Sequence, residues 1–462
     1  MIELIPSAKR LIRSLRDIGY DFVDAVADII DNSIEAEANH ISINMKFEGE
    51  QSYLVILDNG FGMGSKEIQE ALRFGSHRSY ATNDDLGRFG LGLKTASLSQ
   101  CESLTVSSRR GEQRKRISSL RWDLDHITKT NLWEVLEIPS EALKDEARRH
   151  LENTVGTAVT WERLGKLMGY KYPSGEWARR HADQMAETLK LHIGLVFHRF
   201  LSGEIPNKRI SIFVNDEKVA PWDPFSRGEL YTQKLDIITI PIEHKKVDYQ
   251  VTLQPYILPT QALYSSAKAH VRASGPLKWN RHQGFYIYRS NRIIQAGGWS
   301  GLRTSDEHTK LIRIAFHIPA QLDDLFQVNV AKKHLTLPRE LRSALMKEIP
   351  SIVQRGQDTY RGKVTAPSLG FEAEEIEVRQ NHQNDAAQAD LEPTNAEIYP
   401  RPTPKRYLRA DLIANLALKV GLENEREKLA RAFEHIIDTC DANDREHLIS
   451  ILDRYEKITN YR

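Results

Sequence analysis

The stretch LDNGFGMG, residues 57–64, follows the apolar run SYLVI, closes it on the carboxylate of Asp58 and then places glycine at 60, 62 and 64. Glycine tolerates backbone geometry closed to other residues, so the stretch taken alone reads as a flexible turn. A second reading has the carboxylate at the end of a buried strand and a ligand ring lying close against bare backbone. The neighbouring segments separate the two.

Upstream, VDAVADIIDNSIEAEA (23–38) has the period of a helix. Phe22, Val26, Ile29, Ile30 and Ser33 share one arc, and Asp24, Asp28, Asp31, Asn32 and Glu35 share the opposite one. For an isolated helix the acidic arc reads as a solvated face. Like charges one turn apart, as at Asp24 and Asp28, cost helix stability, and a cation would relieve that cost. In the functional reading Asn32 offers an oxygen to Mg²⁺, an ion that prefers oxygen ligands, and Asp28 orients or deprotonates a water. Asp58 then accepts a hydrogen bond from an exocyclic amine, which selects adenine. Downstream, GRFGLGLKTA (87–96) leads Gly87, Gly90 and Gly92 into a helix with Lys94 alongside, an arrangement suited to phosphates. It is neither the dinucleotide fingerprint nor the P-loop, because it follows a polar loop and lacks the Gly-Lys-Ser/Thr spacing.

The 462 residues are 40% hydrophobic and 27% charged, enough for two or three domains. Lys plus Arg number 64 against 63 for Asp plus Glu, so any nucleic-acid surface must be a local patch. Cys101 and Cys440 match no metal or redox spacing. The apolar core of a signal peptide and any run long enough to span a membrane are both lacking, so a cytoplasmic protein is expected.

Strands are expected at 40–47, 52–58, SLTVSSR, LWEVLEI and GTAVTWERL, and helices at 65–73 and from LKTASLSQ. One long helix is expected over 176–201, then hairpins in RISIFVNDEKVAP, turning at Asn215-Asp216, and in GFYIYRSNRIIQ, and a buried strand at 311–319. Residues 366–406 turn acidic, polar and then proline-rich, a linker composition, and three short amphipathic helices are expected within 407–462.

The acidic helix with Asn32, Asp58-x-Gly-x-Gly, the glycine-rich segment and GTAVTW with Thr157, in that order, resemble the GHKL ATPases. That superfamily comprises gyrase B, the ninety-kilodalton heat-shock chaperones, histidine kinases and MutL. The resemblance covers about residues 10–165 and implies an α+β protein with a Bergerat-fold sandwich that binds ATP and Mg²⁺. It implies Asn32 as the Mg²⁺ ligand and Asp58 as the adenine contact. Gly60 and Gly62, with Met63 beside them, would floor the adenine pocket. Gly87, Gly90, Leu91, Gly92, Lys94 and Thr95 would form the phosphate lid, and Thr157 would hold the adenine network. Hydrolysing members usually carry Glu four residues before the Asn; here Asp28 stands there, about 1–1.5 Å shorter in reach, which points to slow hydrolysis.

The helix AVADIIDNSIEAEA looks most like the MORC-type and MutL-type branch, prokaryotic in kind. The implied organisation is an ATP-binding domain at 1–172, a transducer resembling ribosomal protein S5 at 173–365, the linker, and the helical tail. In such transducers a Lys reaches the γ-phosphate; NVAKKH offers Lys333, ahead of Lys332, against the alternative of two solvated lysines after a strand. ATP-dependent homodimerisation is also implied. Arg109, Arg110, Arg114, Lys115, Arg116 and Arg121 form one basic cluster, and Lys268, Arg272, Lys278 and Arg281 around Trp279 form another. Either contacts phosphates or lies at a charged hairpin tip; the second leans to nucleic acid. The leading expectation is an ATP-gated dimeric clamp on DNA, in DNA processing or phage defence, with a separate nuclease or helicase as partner. A nucleotide-sensing scaffold with negligible turnover and a chaperone-like ATPase are the alternatives.

Overall fold

A computed structural model describes residues 6–16, 20–74, 92–111, 116–164, 172–206, 208–327 and 335–362. The glycine-rich positions Gly87, Gly90 and Leu91, the two lysines Lys332 and Lys333, the linker and the tail helices lie outside the described residues. The described part is α+β.

The first sheet has eight strands in the order β5-β4-β3-β6-β2-β1-β7-β8. These are β1 (His40–Lys46), β2 (Tyr53–Asp58), β3 (Ser103–Arg109), β4 (Ser118–Asp123), β5 (Leu136–Glu137), β6 (Gly156–Glu162), β7 (Ser211–Val214) and β8 (Glu217–Lys218). On one face lie α1 (Ala8–Arg16), α2 (Phe22–Glu35), α4 (Gly92–Gln100) and part of the long helix α7 (Glu176–Val196). The shorter α3 (Ser65–Leu72) and α5 (Leu124–Thr130) join that layer, and α6 (Asp145–Asn153) covers the other face.

This two-sided cover explains why β2 is apolar on both faces from Leu54 to Leu57. Side chains alternate along a strand, so Leu54 and Ile56 pack into the main core while Val55 and Leu57 pack with Ala147 and Leu151 of α6. The same alternation places Asp58 with Leu54 and Ile56, towards α2. On α2 the arc of Val26, Ile29 and Ile30 faces the core as its period requires.

Three expectations differ from what is found. The sheet takes in strands from beyond residue 172, because β7 pairs in parallel with β1 and the Asn215-Asp216 turn, left-handed at both residues, returns the chain as β8. The helix expected over 176–201 ends at Val196 and resumes as α8 (His198–Ser202) after the buried Phe197. The strand expected in LWEVLEI shrinks to Leu136–Glu137, at the sheet edge, with Leu132 exposed.

The second sheet runs β10 (Ile238–His244), β11 (Val247–Ile257), β14 (Ile312–Ile318), β12 (Gly284–Arg289), β13 (Arg292–Ala296), with β9 (Gln233–Lys234) also on β11. Short helices α9 (Ala267–Ala273) and α10 (Lys278–His282) precede β12, and α11 (Arg339–Tyr360) packs Leu341, Leu345, Ile349 and Ile352 into this core. The β12–β13 hairpin turns at Ser290 and Asn291, both left-handed. Among the described residues no helix is long and apolar enough to cross a membrane.

Candidate functional site

Asp58 is buried, and its carboxylate is held from three sides. Oδ1 accepts from the backbone N–H of Gly60 at 2.9 Å and of Thr157 at 3.1 Å; Oδ2 accepts from the Ser33 hydroxyl at 3.0 Å. Burial raises its pKa and outweighs these donors. Thr157 stands opposite Asp58 in the β2–β6 register. Its Oγ1 lies 3.0 Å from Ser108 Oγ, which accepts from the N–H of Met63 at 2.8 Å and donates to the carbonyl of Gly156 at 2.7 Å. His150 Nε2 donates to the Asp58 carbonyl at 2.7 Å. The network joins α2, the turn after β2, β3, β6 and α6 around one carboxylate.

One helical turn separates Asn32 from Asp28. Asn32 is half-buried, and its Nδ2, shielded from solvent, has no hydrogen-bond partner among the described residues. Asp28 and Asp31 are 3% and 1% exposed, so this part of the acidic arc is not a solvated face. Tyr20 Oη donates to Asp28 Oδ2 at 3.0 Å and also bonds Thr95, placing the start of α4 beside the same carboxylate. Burial and the Asp28 charge push the Tyr20 hydroxyl's pKa up. Arg292, from β13 of the second sheet, donates from Nη1 to Asp28 Oδ1 at 3.0 Å and to Asp31 Oδ2. Burial alone would lower the guanidinium's pKa, but the Asp31 and Asp28 charges raise it on balance. Breaking a buried ion pair by removing one partner costs about 3–5 kcal/mol.

Residues 20–157 match the family model described as "Histidine kinase-, DNA gyrase B-, and HSP90-like ATPase". The chain carries a GHKL domain. Its relatives include DNA mismatch repair protein MutL of Actinobacillus succinogenes, 35% identical over 94 residues, which are 20% of this chain and 15% of that MutL. Protein MICRORCHIDIA 5 of Arabidopsis thaliana is 31% identical over 91 residues, 18% of this chain and 13% of the relative. ATPase morc-1 of Caenorhabditis elegans is 31% identical over 75 residues, 16% of this chain and 9% of the relative. The chain thus spans a small fraction of each relative's length, and the likeness falls on the MutL and MORC branch.

Within the GHKL domain the glycines after Asp58 have a more specific reason than an open floor. A Cβ on Gly60 would come within 2.6 Å of the Ala36 carbonyl at the end of α2. Gly62 is left-handed, and a Cβ there would collide with the Arg109 carbonyl at the end of β3. The turn therefore threads between two backbones, and that threading sets the Gly60 N–H against Asp58. Lys94 is also placed otherwise than a phosphate contact: its ammonium donates to the carbonyls of Ala71 and Arg73 at 2.9 Å each, closing the end of α3. Burial pulls its pKa down to about 8.

The basic clusters divide. Arg109 is buried, donating to the carbonyls of Leu151 and Glu152, Arg110 pairs with Glu67, and Arg121 with Glu162. Lys268, Arg272, Lys278 and Arg281 are exposed. Trp279 is no free stacking platform, since it lies against His270 and the buried Arg313. Sequence reasoning missed Tyr20, Ser108, His150 and Arg292. For Arg292 a signal existed in the two arginines that bracket the Ser290-Asn291 turn, because like charges in that position need partners elsewhere.

Proposed function

We propose that the chain binds Mg-ATP against the Asp58 network, hydrolyses it from the Asn32 and Asp28 side of α2, and uses the nucleotide to gate pairing of two copies around DNA. Asp58 carries the reading. Among the described residues its Oδ2 accepts a single hydroxyl, leaving capacity for one further donor of the kind that adenine's exocyclic amine supplies. Thr157 holds the network, and Gly60, Gly62 and Met63 line the turn beside it. Asn32, with a side-chain amide whose buried nitrogen lacks a partner among the described residues, fits as the Mg²⁺ ligand through its oxygen. The ion, when bound, neutralises phosphate charge. Gly87, Gly90, Leu91, Gly92 and Thr95 take the phosphate side, Lys333 reads the γ-phosphate, and Lys94 anchors α4.

Asp28 orients the attacking water and takes its proton as the water oxygen bonds the γ-phosphorus. The bond from that phosphorus to the β–γ bridging oxygen breaks, leaving ADP and phosphate. The name of the MutL relatives and the exposed Lys268, Arg272, Lys278 and Arg281 support DNA as partner, in DNA processing or phage defence, with a separate nuclease or helicase. One observation favours a nucleotide-sensing scaffold as second reading: Tyr20 and Arg292 engage both oxygens of Asp28.

Steady-state Mg-ATP hydrolysis by the full chain and by Asp28→Asn, with and without DNA, tests the choice. Loss of a general base costs about 10²–10⁴-fold, and DNA stimulation is expected in the unsubstituted chain. Equal rates in both proteins would remove Asp28 from its role. ATP binding without turnover in either would establish the sensor.

A further inference from the structure

The end of the β12–β13 hairpin carries two arginines in an arrangement that hairpin stability disfavours. Arg289 and Arg292 are direct cross-strand partners beside the turn, and like charges so placed repel. Both are nonetheless buried, at 4% and 3% exposure. Carboxylates from two distant parts of the chain hold them. Arg289 Nε donates to both oxygens of Asp323 at 2.9 Å, just after β14. Arg292 donates to Asp28 and Asp31 of α2, and the Phe197 ring centroid lies 5.7 Å from its guanidinium carbon. The turn is held as well: Arg199 of α8 donates to Asn291 Oδ1 at 3.3 Å, and its guanidinium lies 3.8 Å from the centroid of Tyr288.

We propose that Arg292 is a positioning residue for the Asp28 carboxylate, so that the placement of the second sheet sets the alignment of the hydrolytic base. The inference rests on the reading of Asp28 given above. Arg292 fixes one oxygen and Tyr20 the other, which locks the side chain's rotation. The hairpin, tied to Asp323 on one side and α2 on the other, cannot shift without carrying Asp28 or breaking its ion pair. A displacement of about 1 Å at a reacting group costs on the order of a hundredfold in rate. A ligand or partner that moves the second sheet would thereby be read as a change in turnover.

The test compares the full chain with Arg292→Gln and Arg292→Lys, measuring ATP affinity by titration with a fluorescent ATP analogue, then kcat, with a thermal melt for each. Arg292→Gln is expected to lower kcat about tenfold or more while ATP affinity stays within about threefold, and Arg292→Lys to recover most of the loss. Loss of the buried ion pair lowers the melting temperature in either case; a merely structural role would carry ATP affinity down with it. Should Arg292→Gln not fold, Arg292→Lys alone decides, with kcat lowered about two- to fivefold at unchanged affinity. The proposal is overturned by unchanged kcat in the variant that decides, by a loss that tracks ATP affinity, or by a Lys variant as impaired as Gln. Unsubstituted chain that binds ATP without turnover also overturns it. Failure of the unsubstituted chain to bind ATP removes the function proposed above, and this inference with it, at the titration step.

Discussion

Replacing Asp58 with Asn changes one acceptor into a donor while keeping the shape of the site. The new side-chain oxygen can still accept from the Gly60 and Thr157 N–H groups, now 2.9 and 3.1 Å from Oδ1. The amide nitrogen would replace Oδ2 beside Ser33, whose hydroxyl can reverse its role by donating to the Ile29 carbonyl, already 3.4 Å away. The fold is therefore expected to survive. What is lost is a charge-assisted acceptor facing the adenine amine, about 1.5–3 kcal/mol, or about ten- to a hundredfold in ATP affinity. Isothermal titration with ATP and GTP in parallel measures it, with ATP weakening selectively. A melt at several pH values checks the other half. Burial raises the folded-state pKa of Asp58, so its stabilising contribution is present below the ordinary carboxylate pKa and is lost as pH rises through the raised value. At neutral pH the Asn variant should melt at or above the parent, and the parent should gain on it as pH falls. ATP affinity within about twofold of the parent, in a folded Asn variant, would refute the placement of adenine at Asp58.

Gly62→Ala should destabilise through both left-handed strain and collision with the Arg109 carbonyl, whereas Gly111→Ala, left-handed but in open space, should carry the strain alone. Strain, about 1–2 kcal/mol, is common to both, so the collision sets the difference and Gly62→Ala should melt several degrees below Gly111→Ala; equal melting temperatures would show that the turn yields freely. His198 is buried against the Tyr288 hydroxyl at 2.7 Å, and burial pulls its pKa down to about 4. A depressed pKa gives stability that is present above the ordinary histidine pKa of about 6.5 and is lost as pH falls through about 4. This amounts to about 3 kcal/mol for this one side chain. Denaturant titrations of the parent and His198→Gln across that window should show a shallower decline in the variant, and parallel curves would contradict it.

What could be read from the sequence was local. The period of α2, the run that becomes β2, the turn at Asn215-Asp216 and the hairpin within GFYIYRSNRIIQ depend on residues close in sequence, and each is found where its pattern places it. Ser33 on the apolar arc already implied that it faces inward; only the strand alternation of β2 shows that it faces Asp58. The rest is non-local. Arg292 and Asp28 are 264 residues apart, and no periodicity links them. Lys94 looked suited to phosphate because it follows glycines, yet the carbonyls that claim it belong to a helix whose end abuts α4 only after packing. Trp279 leans its basic cluster towards nucleic acid until the buried Arg313 appears beside it. Short-range chemistry names such residues, and the three-dimensional neighbour decides their use.

The alternation along β2 has a bearing on how this chain can vary by descent. Asp58 faces α2 because it stands an even number of positions along the strand from Leu54, and the β1–β2–β6 pairing holds that count from both sides. A single inserted residue within 53–58 would send the carboxylate to the α6 face while leaving a passable apolar strand. The link between β1 and β2, around the short turn at Gly49–Gln51, bears no such parity, so a change in its length leaves Asp58 on the same face. Relatives of this chain should accumulate insertions there and none within the strand, so lengths, more than residue identities, would mark copies that have given up the ligand.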